Sequence, residues 1–157
     1  MRSKLLGLVI VALCIVAPDC TLAGSAPEKA ANKKLVREYM ERVINEGDWS
    51  AWPEIFGDSV LFNGEAMSVE DVKGMLASFR SIFPDFHIAV ESQIAEGDSV
   101  ATRVTVSGTH QGDYMGMKAT GKHVSFGGIA YDRIVDGKIV EMWHEMDIWG
   151  TLLMLDD

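Results

Sequence analysis

The chain is short of cysteine, short of basic residues and without a long apolar run, and each shortage excludes something. Its two cysteines, Cys14 and Cys20, both fall in the first 20 residues. The rest of the chain therefore has no disulfide framework and no thiolate metal site. Fourteen Lys and Arg face 23 Asp and Glu, a net charge of −9. That sign argues against nucleic acid or an anionic membrane surface as partner. Also missing are a phosphate-binding glycine loop, a Gly-x-Gly-x-x-Gly turn after a strand and a Gly-x-Ser-x-Gly elbow. There are no internal repeats and no low-complexity tracts.

Leu5 to Ala17 is a 13-residue run without a charge or a hydrogen-bonding polar side chain, whereas a membrane-spanning helix needs ~20. It follows Arg2 and Lys4 and precedes small residues, the pattern of a secretory signal. The expected cut follows Thr21-Leu22-Ala23, with Gly24-Ser25-Ala26 as a second option. Asp19, where a lipoprotein signal has Gly or Ala, speaks against lipid attachment at Cys20. Removing residues 1–23 leaves 134 of 157 residues, one ordinary domain. Because the removed part carries Arg2, Lys4 and Asp19, the net charge moves from −9 to −10. The expected product is secreted or periplasmic, with no membrane contact after processing.

Residues 24–31 are small and polar and read as a flexible leader, with the domain occupying 32–157. From Asn32 the spacing of Leu35, Val36, Tyr39, Met40, Val43 and Ile44 predicts a helix, ended by Gly47. Trp49, Trp52, Ile55 and Phe56 suggest a short helix or turn around Pro53, and Val60 to Phe62 a brief strand. Ser68 and Asp71 open a second long helix in capping-box spacing, and Pro84 closes it. Four long strands follow, over 86–96, 100–110, 124–135 and 139–148. Glu96-Gly97-Asp98 and Asp136-Gly137 form tight turns between them. A glycine-rich loop, Gln111 to Met117, lies between the middle two. Helices first and a strongly twisted antiparallel meander after them predict an α+β fold. A curved sheet wrapped around one long helix then leaves a cone enclosing a pocket.

Side-chain alternation selects the pocket candidates. Val100, Thr102, Val104, Val106, Gly108 and His110 share one face of their strand. On the last strand one face carries Ile139, Glu141, Trp143, Glu145 and Asp147, and the other Val140, Met142, His144, Met146 and Ile148. If the first lines the pocket, Asp147 and Glu145 are acid/base candidates raised by desolvation. If the second does, His144 is the candidate. The spacing leaves both open. The plain alternative for His110 is a satisfied core residue, and for Glu141 an ion pair with Arg133 or Lys138. His87 and His123 read as solvated. Met115, Met117, Met142 and Met146 offer an adaptable wall for an apolar ligand. His144, Asp147 and His110 match no established metal spacing, so no metal is expected.

Several segments are similar to one known family. Gly108-Thr109-His110-Gln111-Gly112-Asp113-Tyr114-Met115-Gly116, Thr120-Gly121-Lys122, and Asp136-Gly137-Lys138-Ile139-Val140-Glu141-Met142-Trp143 with Asp147 resemble the SnoaL-like polyketide (ester) cyclases. So do Asn45-Glu46-Gly47-Asp48, Phe79-Arg80 and Phe83-Pro84-Asp85. The likeness runs from about Asn32 to Leu155. It implies a cone fold of the nuclear-transport-factor-two-like superfamily, often dimeric through its convex sheet. It also implies intramolecular aldol closure of a polyketide ester, with no metal and no cofactor. By motif, Asp147 becomes the general acid/base and His110 the group that polarises the substrate. Trp143, Glu145, Met115 and Met117 become substrate-binding residues on the pocket side. The partner so implied is a small apolar carbonyl compound, and the assembly a homodimer.

Overall fold

The computed structural model describes residues 24–156. The expected signal segment and both cysteines lie outside the described residues. Helix α1 spans Ala26–Glu38, so the leader expected over 24–31 is instead its first turns. Ser25 makes the difference. Its hydroxyl accepts the Glu28 N–H at 3.3 Å while the Glu28 carboxylate accepts the Ser25 N–H at 3.1 Å. Pro27, in the first turn, has no N–H to leave unsatisfied.

The chain continues without a break into a π-helical segment, Tyr39–Asn45, in which the Glu46 N–H reaches back five residues to the Glu41 carbonyl at 2.9 Å. Val36, Tyr39, Met40, Val43 and Ile44 are all buried, as their spacing predicts. Gly47, at φ +72°, ends the run. A 3₁₀ turn (Trp49–Ala51) and α2 (Trp52–Ile55) follow, and Trp52 stacks on Phe56 at 4.2 Å.

Strands β1 (Phe56–Phe62) and β2 (Glu65–Ser68) form a hairpin across Asn63-Gly64, both at positive φ. Ser68 and Asp71 form the expected capping box at the head of α3, Val69–Ile82. Strands β3 (His87–Glu96), β4 (Ser99–Thr109), β5 (His123–Val135) and β6 (Lys138–Met146) come next. The last expected strand stops at Met146. Helix α4, Ile148–Asp156, takes over what reads as strand end.

The strands make one curved, unclosed sheet in the order β2-β1-β6-β5-β4-β3. The architecture is the α+β cone expected, with one departure from the antiparallel meander: β1 runs parallel to β6. The core fills the space between the inner face of the sheet and the helical layer.

A single bulge decides which side of β6 faces that core. Ile134 pairs with Ile139, but Arg133 pairs with Glu141, so Val140 is an extra residue on β6. Ile139 and Met142 are consequently both buried, and Trp143 is exposed. Simple alternation from Ile139 would give the opposite result.

Candidate functional site

The π-helical segment, α3 and the inner face of β3 to β6 line a partly open cavity of about 250 Å³. Its wall is nearly all apolar, with Phe62, Phe79, Phe86 and Phe126 as rings and Met40, Met75 and Met146 as flexible fillers. Tyr39 and His144 are the two polar residues in this wall. The face of β6 that lines it is therefore the one with Met142, His144 and Met146. Trp143 and Glu145, expected on the pocket side, are exposed on the opposite face. Trp143 Nε1–H donates to Glu141 at 2.8 Å, and Glu141 pairs with Arg133 at 2.9 Å. That is the plain ion-pair alternative for Glu141.

His144 is held from several sides. The Asn63 side chain accepts the His144 backbone N–H at 2.9 Å and reaches its carbonyl at 3.5 Å, continuing the β1–β6 ladder beyond the strand end. The Phe62 ring meets the imidazole edge-on, with centroids 5.0 Å apart. On the sheet, His144 pairs with Ala130, which places Asp132, two residues on, diagonally beside it on the same face. Asp132 is fully buried, and its Oδ1 lies 3.8 Å from His144 Nε2. At that separation the two are close neighbours but not hydrogen-bonded. Neither Asp132 oxygen nor His144 Nε2 has a hydrogen-bond partner among the described residues.

Burial raises the Asp132 pKa, and the neighbouring imidazole opposes the rise without cancelling it. Burial also raises that of Tyr39 above the usual phenol range, with the Asp132 charge adding to it. The phenol therefore keeps its proton. A proton on His144 Nε2 would face the carboxylate and leave Nδ1 as the ring's acceptor. An apolar cavity with one imidazole, one carboxyl behind it and one neutral phenol can move a proton and steady a developing oxyanion. Sequence reading had not singled out Asp132 or Tyr39. The signal was present: Val124, Phe126, Gly128, Ala130 and Ile134 are one face of β5, and Asp132 interrupts it.

The residues implicated by motif sit elsewhere. Asp147 is exposed and caps α4, its Oδ1 accepting the Gly150 N–H at 2.8 Å and its carbonyl the Thr151 hydroxyl at 2.8 Å. His110 is fully buried, one residue past the end of β4 rather than within the strand as expected. Its Nδ1 accepts the Thr120 N–H at 3.3 Å, and its backbone bonds Lys122 and Gly121, which fastens the return of the glycine-rich loop. Its Nε2 has no partner among the described residues. No hydrogen bond or ion pair among the described residues joins His110 to Asp147. Met115 is exposed at φ +49°, and Met117 packs on the core edge outside the cavity wall. His87 and His123 are exposed, as expected. Among the described residues no group of His, Cys, Asp or Glu is arranged to hold a metal ion, and no helix is long and apolar enough to cross a membrane.

The fold and the cavity between sheet and helices define a protein of the nuclear-transport-factor-two-like superfamily. The profile of the SnoaL-like polyketide cyclases matches residues 34–154, so the chain belongs to that family. Among solved structures it is similar to AclR of Streptomyces galilaeus, a suggested hydroxylase, at 33% identity over 82% of this chain and 97% of that one, with a TM-score of 0.68. It is similar to IdmH of Streptomyces antibioticus, a suggested polyketide cyclase, at 25% identity over 80% and 99%, with a TM-score of 0.72. TsrD of Streptomyces laurentii matches at 25% over 81% and 96%, with a TM-score of 0.70. No curated protein matches the chain.

Proposed function

We propose that this chain is a cyclase-type enzyme that performs acid/base chemistry, without a cofactor, on a small apolar carbonyl compound. The observation that carries the reading is the His144 imidazole in the wall of an apolar cavity, 3.8 Å from a fully buried carboxyl group. In the step envisaged, His144 Nδ1 takes a proton from the carbon beside a carbonyl. The C–H pair becomes the enolate double bond, and the carbonyl pair moves onto oxygen. The enolate carbon then adds to a second carbonyl of the same molecule, and the resulting alkoxide takes a proton. No oxidant enters, so the chemistry is of the lyase or isomerase kind.

The test is deuterium uptake. Neutral ketones incubated with the protein in D₂O are followed by NMR for exchange beside the carbonyl. Exchange lost in His144→Ala and kept in Asp147→Asn and His110→Ala supports the site proposed. Exchange lost in the last two and kept in the first returns the chemistry to the pair implicated by motif. Binding without exchange in the wild type favours a non-catalytic module that holds such compounds, a reading the nearly all-apolar wall also supports.

Export to the periplasm or medium is proposed with the enzyme reading and is checked by the N-terminal residue of the exported chain. A homodimer through the outer face of the sheet, where Leu61, Ile129, Tyr131 and Trp143 are exposed, accompanies it. Sedimentation of the wild type and Trp143→Lys reads that directly.

A further inference from the structure

The cavity holds about 250 Å³, the share of roughly eight liquid waters and below the ~300–1,000 Å³ of sites that take drug-sized ligands. A fused four-ring skeleton would project well beyond that space, whereas one or two rings fill it. Among the described residues the wall contains no Lys, Arg, Asp or Glu, so a charged ligand would enter without a counter-ion at a large desolvation cost. The carboxyl group behind His144, Asp132, offers an anion no counter-charge. The four phenyl rings of the wall suit a flat apolar body, and the three methionines adapt to its outline.

One polar donor is placed to fix such a ligand. Tyr39 enters the wall from the π-helical segment, opposite the sheet that carries His144. Its ring is anchored edge-on against Phe56 at 5.1 Å, so the hydroxyl is presented from a rigid base.

We propose that the cavity takes an uncharged ketone of one or two rings and that the Tyr39 hydroxyl donates a hydrogen bond to its carbonyl oxygen. The site is the one assigned above, but the inference concerns what fits and how it is oriented, not whether His144 acts as a base. If both hold, Tyr39 is the group that carries the developing oxyanion.

The experiment uses the protein and three probes: 2-tetralone labelled with ¹³C at the carbonyl, 2-naphthoate, and 1-acetylpyrene. The expected result is that 2-tetralone binds, with its carbonyl resonance moved downfield, while 2-naphthoate and 1-acetylpyrene bind at least tenfold more weakly. In Tyr39→Phe, which keeps the ring and its packing, the downfield shift disappears and affinity falls about three- to tenfold, the worth of one hydrogen bond. Equal or tighter binding of either other probe overturns the size and charge assignment. A carbonyl shift unchanged in Tyr39→Phe overturns the donor. The readout is binding, so its failure is separable from that of the catalytic reading: tight, oriented 2-tetralone with no deuterium exchange sinks the enzyme and leaves this inference standing.

Discussion

The two faces of strands β5 and β6 carry similar side chains in opposite circumstances. Outside, Glu141 meets Arg133 at 2.9 Å and the Trp143 indole at 2.8 Å. Those bonds, the indole's first and the guanidinium's second, hold its carboxyl below the usual range. Inside, Asp132 meets His144 at 3.8 Å with both oxygens unbonded among the described residues, and burial pushes its carboxyl upward. Each is a carboxyl group beside a nitrogen-bearing side chain, on opposite faces of the same pair of strands. Solvation separates an exposed ion pair from a buried carboxyl group that holds its proton more firmly.

The strongest test of that contrast is kinetic. His144→Ala should lower α-deuteration of a neutral ketone by about 100-fold or more, the usual worth of a positioned base, whereas Glu141→Gln on the outer face should leave the rate unchanged. A smaller effect is expected from crowding the inner face. Gly128 lies across from Met146, and a Cβ there would sit 3.0 Å from the Glu145 carbonyl oxygen and press on the Met146 sulfur. Gly128→Ala should therefore cost about 1–3 kcal/mol in denaturant unfolding and reduce binding of the two-ring ketone.

Asp132→Asn should slow exchange yet stabilise the fold at neutral pH by about 1 kcal/mol. A carboxyl whose pKa is raised on folding is held in its protonated form more firmly than in the unfolded chain. Stability thus falls as pH climbs from ~3.9, where the unfolded group titrates, through the higher folded value, and stays lowered above it. The gain from Asn should vanish in acid, which thermal unfolding across pH reads directly. Glu141→Gln should show the reverse sign and the smallest size. Its depressed carboxyl contributes stability that is present above ~4.3 and lost as pH falls through the folded value, so the variant is slightly weaker at neutral pH only.

Much of the architecture was legible because local rules and tertiary packing agree. Ser68 with Asp71, Gly47, Pro84 and Asp136-Gly137 mark boundaries that the structure keeps. The buried face of β4 alternates as its residues dictate. What sequence reading missed has identifiable physics. Ala26 to Ala31 look too polar for a packed helix, but a capping box and the tie from Asn32 to the Gly97 carbonyl hold them in one. The β1–β2 hairpin turns on Asn63-Gly64, a dipeptide in plain view beside the brief strand expected over Val60 to Phe62. Asp147 looks like strand continuation, but its side chain starts a helix. The cavity's polar groups were only half visible. His144 stood out as one imidazole on an apolar face, whereas Asp132 is recognisable only once β5 is known to turn that face inward.

Val140 gives the architecture an uneven tolerance of length changes. As the surplus residue in its ladder, it can be deleted and still leave Ile139, Met142, His144 and Met146 on one side. A deletion or insertion of one residue between Glu141 and Trp143 has no such slack. It would turn every later side chain over, carrying Trp143 and Glu145 inward and His144 out to water. Substitutions in this strand can adjust the chemistry of the hollow by degrees, but a frame-preserving loss of one codon at the wrong place would exchange the whole wall at a stroke.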